Sequence, residues 1–153
     1  MTVDDELAGT LAARLDRAAQ ARLGRSLALF PLEAGGCGGC ALEIAALRAS
    51  VYRLARLGLS IATTPIQADV LLVTGALTRA MAVPVRRAWE AAADPKWVLA
   101  IGECAADGGP FRGSYAVIGG VSEVAPVDVI VPGCPPDPSD ILRALVALLD
   151  ANA

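Results

Sequence analysis

The residues of this chain best suited to chemistry are its four cysteines, Cys37, Cys40, Cys104 and Cys134. Cys37 and Cys40 are spaced C-x-x-C within Gly35-Gly36-Cys37-Gly38-Gly39-Cys40-Ala41-Leu42-Glu43, and an apolar, helix-forming run follows at once. Cys104 and Cys134 stand in short Gly/Pro-flanked segments, Gly102-Glu103-Cys104 and Pro132-Gly133-Cys134-Pro135-Pro136. Grouped thiolates suit an iron–sulfur cluster or a tetrahedral zinc site, and a lone C-x-x-C pair suits a redox dithiol. The chain contains no histidine. Cys–His nucleophile pairs, Ser-His-Asp triads and His-containing zinc sites are thereby excluded within it.

Composition narrows the setting. A chain of 153 residues is expected to form one domain with a normal core, so it needs neither disulfides nor a metal merely to fold. The net charge of −3 argues against a nucleic-acid partner, which calls for a basic patch. The opening residues Met1 to Glu6 lack a basic region and an apolar run, and no stretch has the length of a membrane span. A cytosolic, reducing location is expected, where cysteines serve as ligands or catalysts rather than as disulfides. The apolar fraction of 55% is high. Small side chains in helices, or surface reserved for partner subunits, would both account for it.

The elements that must position the thiols read as follows. Residues 5–23 repeat apolar side chains at helical spacing and end near Gly24, which fits a helix packed on its own domain or a docking arm for a neighbouring subunit; 1–24 is taken as a helical docking segment and 25–153 as the iron–sulfur α/β domain. Ser26–Phe30 reads as a buried strand closed by Pro31, and a helix runs from about Leu42 to Gly58. Strands are expected at Leu59–Thr63, Asp69–Thr74, Trp97–Ile101 and Val127–Val131, with a helix near Met81–Ala92 that tolerates Pro84 in its first turn. A last helix runs from Pro138 to Leu149, capped by Asp137. Alternating strands and helices give an α/β fold, a flavodoxin-like open parallel sheet of about five strands in the order 2-1-3-4-5.

That arrangement brings the cysteines together. Cys37 and Cys40 follow the first strand, Cys104 the fourth and Cys134 the fifth, and loops that follow parallel strands all emerge at the carboxyl edge. Iron–sulfur is favoured over zinc because only one short cysteine pair is present, the core needs no staple, and flanking glycines leave N–H groups free to approach cluster sulfurs. Zinc and a redox dithiol remain as alternatives. Gly36-Cys37-Gly38-Gly39-Cys40-Ala41 also fits G-x-G-x-x-A, but the second strand ends in Thr63-Thr64, where a dinucleotide site wants an acidic residue.

With these motifs in view, the chain resembles the small iron–sulfur subunit shared by group 4 membrane-bound [NiFe] hydrogenases, formate hydrogenlyase included, and by respiratory complex I, the NADH–quinone oxidoreductase. The resemblance is carried by Gly36-Cys-Gly-Gly-Cys-Ala-Leu-Glu-Ile44, Ala68-Asp-Val-Leu-Leu-Val-Thr-Gly75, Gly102-Glu-Cys-Ala105, Gly113-Ser-Tyr-Ala-Val117 and Pro126-Val-Asp-Val-Ile-Val-Pro-Gly-Cys-Pro-Pro136. It implies one [4Fe–4S] cluster held by Cys37, Cys40, Cys104 and Cys134. It further implies an electron-transfer subunit that performs no complete reaction alone. Its partners would be a large [NiFe]-hydrogenase-like subunit, of the kind that complex I also contains, a ferredoxin-like iron–sulfur subunit and membrane subunits. Its place would be the cytoplasmic face of the inner membrane, held there peripherally through those partners.

The C-x-x-C spacing is the hydrogenase-side pattern, whereas complex I subunits carry adjacent cysteines at this point. The alternatives are a complex I-type subunit that passes electrons to quinone and a structural subunit that keeps the fold. The chain departs from hydrogenase relatives at Gly36, Gly38, Ala41 and Ala45, and Ile66 stands where Arg is usual. Glu43 matches the family's glutamate after the second cysteine. It is a candidate proton relay or cluster-tuning group, or simply a carboxylate favoured by the helix dipole. Arg79 reads as a solvated charge or a partner contact, and Phe111 and Tyr115 as packing residues.

Overall fold

The computed structural model describes residues 27–35, 38–46, 59–92, 96–134, 136 and 138–151. The 1–24 docking segment, Cys37, the later part of the helix expected from Leu42 onwards and the Asp137 cap lie outside the described residues. Within them, β1 (Leu27–Glu33), β2 (Leu59–Ile61), β3 (Val70–Thr74), β5 (Trp97–Ile101) and β7 (Val129–Val131) form one parallel sheet in the order β2-β1-β3-β5-β7. Counted along the sheet strands alone, this is the 2-1-3-4-5 order expected from the sequence.

Two more strands were not legible in advance. β4 (Leu77–Thr78) and β6 (Val117–Gly119) pair as a small antiparallel ribbon. Each is too short for an alternation pattern to emerge, and each rides on the loop of a larger element. The helices are α1 (Gly39–Ala46), α2 (Ala82–Ala91), α3 (Gly102–Asp107) and α4 (Pro138–Ala151).

The sheet is covered on both faces, which is why its central strands read as unbroken apolar runs. Leu29, Leu72, Leu99 and Ile101 face Ile44 of α1 and Ile141, Leu142 and Leu145 of α4. Leu71, Val73, Val98 and Ala100 face the other way, against Val85 of α2, Ala105 of α3, and Ala62 and Ala68 of the β2–β3 crossing. That crossing has no α-helix, only a single 3-10 turn at Pro65–Gln67.

Pro31 does not close the first strand as expected; β1 runs on to Glu33. The Leu29 carbonyl accepts the Ala62 N–H on the β2 side, so Pro31, two residues later, turns its missing N–H to that same side. β2 pairs only with Leu27 to Leu29 and does not reach it. Pro31 therefore forfeits no ladder bond.

Two aspartates start strands by the same device. Asp69, just before β3, accepts the Ala28 N–H on Oδ2 at 2.9 Å and returns its own N–H to the Ala28 carbonyl at 2.8 Å. Asp128, just before β7, does the same to Val98 of β5, at 2.8 and 2.9 Å. Asp69 is 4% exposed, so its carboxylate satisfies an N–H in a place that water barely reaches.

Candidate metal centre

The carboxyl ends of the strands line up in register. Glu33 pairs with Thr74, Thr74 with Ile101, and Ile101 with Val131, a single row across the sheet. The cysteine segments leave from this row. The loop carrying Gly38 and Cys40 follows Glu33, Cys104 follows Ile101 by three residues, and Cys134 follows Val131 by three. Convergence of these loops, expected from strand order, is what the fold delivers.

Cys40 lies in the first turn of α1, partly buried and packed against the core on that face. Its sulfur sits directly above Gly102, only 2.7 Å from where a Cβ on that residue would stand, with the Gly133 carbonyl 3.3 Å from the same point. Gly102 has φ +86, a left-handed conformation that glycine adopts at little cost. One glycine thus lets the Cys40 sulfur, the segment leading to Cys104 and the segment leading to Cys134 crowd together. The Glu103 N–H donates to the Gly133 carbonyl at 3.0 Å and ties the last two.

The Cys104 segment, read from sequence as a loop, is the helix α3. The Gly108 N–H closes it onto the Cys104 carbonyl at 2.8 Å, with Gly108 left-handed at the end, a stop signal that the run of glycines obscured. Cys104 is 7% exposed, and its sulfur lies 3.1 Å from where a Cβ on Gly109 would be. Cys134 is exposed. Among the described residues, no three Cys, Asp or Glu side chains group closely enough to hold a metal ion. Cys37 is not among those residues.

The exit of β3 fits under the cysteine loop with no space to spare. A Cβ on Gly75 would lie 1.3 Å from the Gly35 carbonyl oxygen, so the two backbones touch where any side chain would separate them. Beside this contact is a small hollow, about 10 Å³, bordered by Glu33, Gly38, Gly39, Cys40, Thr74 and Gly75. Glu33 was not singled out in the sequence. Its signal is a single carboxylate ending an apolar strand just before the Gly-Cys loop.

The other expected residues fall as follows. Glu43 is half-buried on α1, one turn beyond Cys40. Arg79 is engaged rather than merely solvated: its Nε donates to the Tyr115 carbonyl at 2.7 Å, its guanidinium lies 5.5 Å from the centre of the Tyr115 ring, and its N–H donates to the Ala116 carbonyl. Tyr115 is not a packing residue. It is 89% exposed, its ring held out over Arg79, and Phe111 is exposed at 39%.

Fold and loop geometry define a flavodoxin-like α/β domain with cysteine segments gathered at one sheet edge, and comparison with known proteins gives the family. Residues 37–148 match the NADH ubiquinone oxidoreductase 20 kDa subunit family, to which the small subunits of group 4 [NiFe] hydrogenases also belong, and this chain is a member of it. The chain is 42% identical over 149 residues to formate hydrogenlyase subunit 7 of Escherichia coli K12, covering 97% of this chain and 56% of that protein. It therefore spans little more than half of that relative's length. Among solved structures, it is similar to a chain of the membrane-bound sulfane sulfur reductase, an archaeal respiratory membrane complex, with TM-score 0.73 and 31% identity over 88% of this chain and 72% of the other. The [NiFeSe] hydrogenase of Dm. baculatum matches in fold, with TM-score 0.59 and 20% identity over 84% of this chain and 63% of the other.

An iron–sulfur cluster is the group the family implies, and the thiols present are donors of the right kind to hold one. The donors are thiols, as such clusters require. Gly102 keeps a side chain out of the space beside the Cys40 sulfur and the Gly133 carbonyl, and Cys134 is exposed. Among the described residues, no helix is long and apolar enough to cross a membrane.

Proposed function

We propose that the chain is the electron-transfer subunit of a multisubunit, membrane-associated oxidoreductase of the group 4 [NiFe]-hydrogenase type. Cys37, Cys40, Cys104 and Cys134 hold one [4Fe–4S] cluster, which when bound supplies reversible one-electron transfer. Electrons pass between the active site of a large [NiFe]-hydrogenase-like subunit and ferredoxin-like subunits, and membrane subunits hold the chain peripherally on the cytoplasmic face. The observation that carries the reading is that the Cys40 sulfur and the Gly133 carbonyl both crowd the space above Gly102, where three cysteine segments meet at the end of one strand row. Similarity to formate hydrogenlyase subunit 7 supports the hydrogenase branch.

The role of this chain's own residues is to define the site and keep it compact. Left-handed Gly102 admits the Cys40 sulfur, the Glu103–Gly133 hydrogen bond fixes the spacing of two segments, and the apolar faces behind Cys40 and Cys104 limit water on that side.

The test is iron and sulfide analysis of the anaerobically purified protein or complex, with EPR of the reduced form. About four irons and four sulfides per chain, beyond any partner clusters, are expected. Cys104→Ser and Cys134→Ser each remove the signal assigned to this chain. Stoichiometric zinc without iron, or a signal unchanged in both variants, overturns the proposal. The family match covers the complex I-type alternative as well. It is decided by the large subunit that copurifies: a hydrogenase type carries two C-x-x-C nickel-ligand pairs and a quinone-reducing type lacks them.

A further inference from the structure

We infer that Glu33 sets the charge around the metal centre and holds its reduction potential down; the inference rests on the cluster reading above. Glu33 is the β1 member of the row Glu33–Thr74–Ile101–Val131, the last rung of the sheet before the cysteine segments begin. Residues of paired parallel strands share a face, so Glu33 stands on the side covered by α1, the side on which Cys40 packs. Its Oε1 lies 3.8 Å from where a Cβ on Gly38 would be, inside the C-x-x-C loop itself. Together with Cys40 it borders the hollow under that loop, and the remaining border is Thr74 and small residues, with no cation.

The Glu33 carboxylate makes no hydrogen bond or ion pair with another described residue, whereas those of Asp107, Asp140 and Glu90 each pair with an arginine. The other carboxylates near the site are Glu43 on α1 and Glu103 at the start of α3, and no described Lys or Arg borders the hollow. An electron added to a cluster adds negative charge. A carboxylate bordering the same hollow as Cys40, with no cation beside it, opposes that addition and lowers the potential. Glycine at Gly35, Gly38, Gly39 and Gly75 means that little side-chain bulk lies between the two charges.

The experiment is a redox titration of the cluster, followed by EPR, in the purified complex bearing wild-type Glu33, Glu33→Gln or Glu33→Lys, each at low and high ionic strength. Gln keeps the size of the side chain and removes its charge; Lys reverses it. The expected result is a stepwise upward shift of the potential from Glu to Gln to Lys, with iron content unchanged and the steps smaller at high salt, since an exposed charge is screened. Potentials that are the same in all three proteins, or shifts that follow no order of charge, overturn the inference. If wild-type protein holds no iron, the cluster reading fails instead, and the two failures are told apart by the metal analysis alone.

Discussion

Substituting Gly102 by alanine tests the site geometry most directly. The residue has φ +86, so any L side chain incurs the left-handed cost of roughly 1–2 kcal/mol. The new methyl would also stand 2.7 Å from the Cys40 sulfur and 3.3 Å from the Gly133 carbonyl oxygen. Ordinary contact needs about 3.5–4.0 Å, so the sulfur or α3 must move by about 1 Å. Overpacking of this kind costs typically about 1–3 kcal/mol more. The sum is roughly 2–5 kcal/mol, which for a domain of this size lowers the melting temperature by roughly 5–15 °C.

Gly113 is the control. It has the same φ of +86, but a Cβ there would meet nothing within 4 Å. Gly113→Ala therefore pays the conformational cost alone and leaves the cysteines where they are. Scanning calorimetry of both variants, with iron per chain measured alongside, separates the two costs. Gly102→Ala is expected to lose both stability and iron, and Gly113→Ala to lose a little stability and no iron. Equal melting temperatures and equal iron in the two variants would refute the argument that the Cys40 sulfur needs the space above Gly102.

Two further substitutions probe the framework. Asp69→Ala strands the buried Ala28 N–H and is expected to cost about 1–3 kcal/mol, measured as a shift in the urea midpoint, while Asp69→Asn, which keeps an acceptor, costs less. Gly75→Ala places a methyl on the Gly35 carbonyl oxygen and cannot be absorbed by a side-chain rotation, because both partners are backbone. A loss of at least about 3 kcal/mol, with displacement of the C-x-x-C loop visible as lost iron, is expected; a stable, fully loaded Gly75→Ala protein would contradict the contact.

The framework was legible because its signals are local and strong. Val70–Val73 and Trp97–Ile101 are continuous apolar runs, which a parallel strand covered on both faces requires, and Pro84 falls in the first turn of α2 as its missing N–H demands. Misreadings arose where tertiary context decides. Pro31 looked like a stop because nothing in the sequence tells which side of β1 lacks a neighbour. The Gly102–Asp107 helix is shorter than two turns, too brief to display a period. At the site, the meeting of cysteine segments followed from strand order alone. The close approach of the Cys40 sulfur to Gly102 did not, since it depends on φ at one glycine. Tyr115 was misjudged because an aromatic in a Gly-rich loop reads as filler, and only the Arg79 contacts reveal it as held outward.

The paired aspartates carry a consequence for how this sheet finds its alignment. In a sheet with one wet face, sliding a strand by one residue buries polar groups and is penalised by composition alone. β3 is buried at all five of its positions and β5 likewise, so a slipped strand would present equally greasy residues to both layers. Alternation is silent here, and selection among registers falls to the ends. Asp69 and Asp128 each offer a carboxylate that meets the N–H of Ala28 or Val98 when the strand behind it is in place. Deleting them is accordingly expected to do more than weaken the fold. It should admit a mixture of alignments, and with it misplaced carboxyl ends of the strands that lead into the cysteine segments.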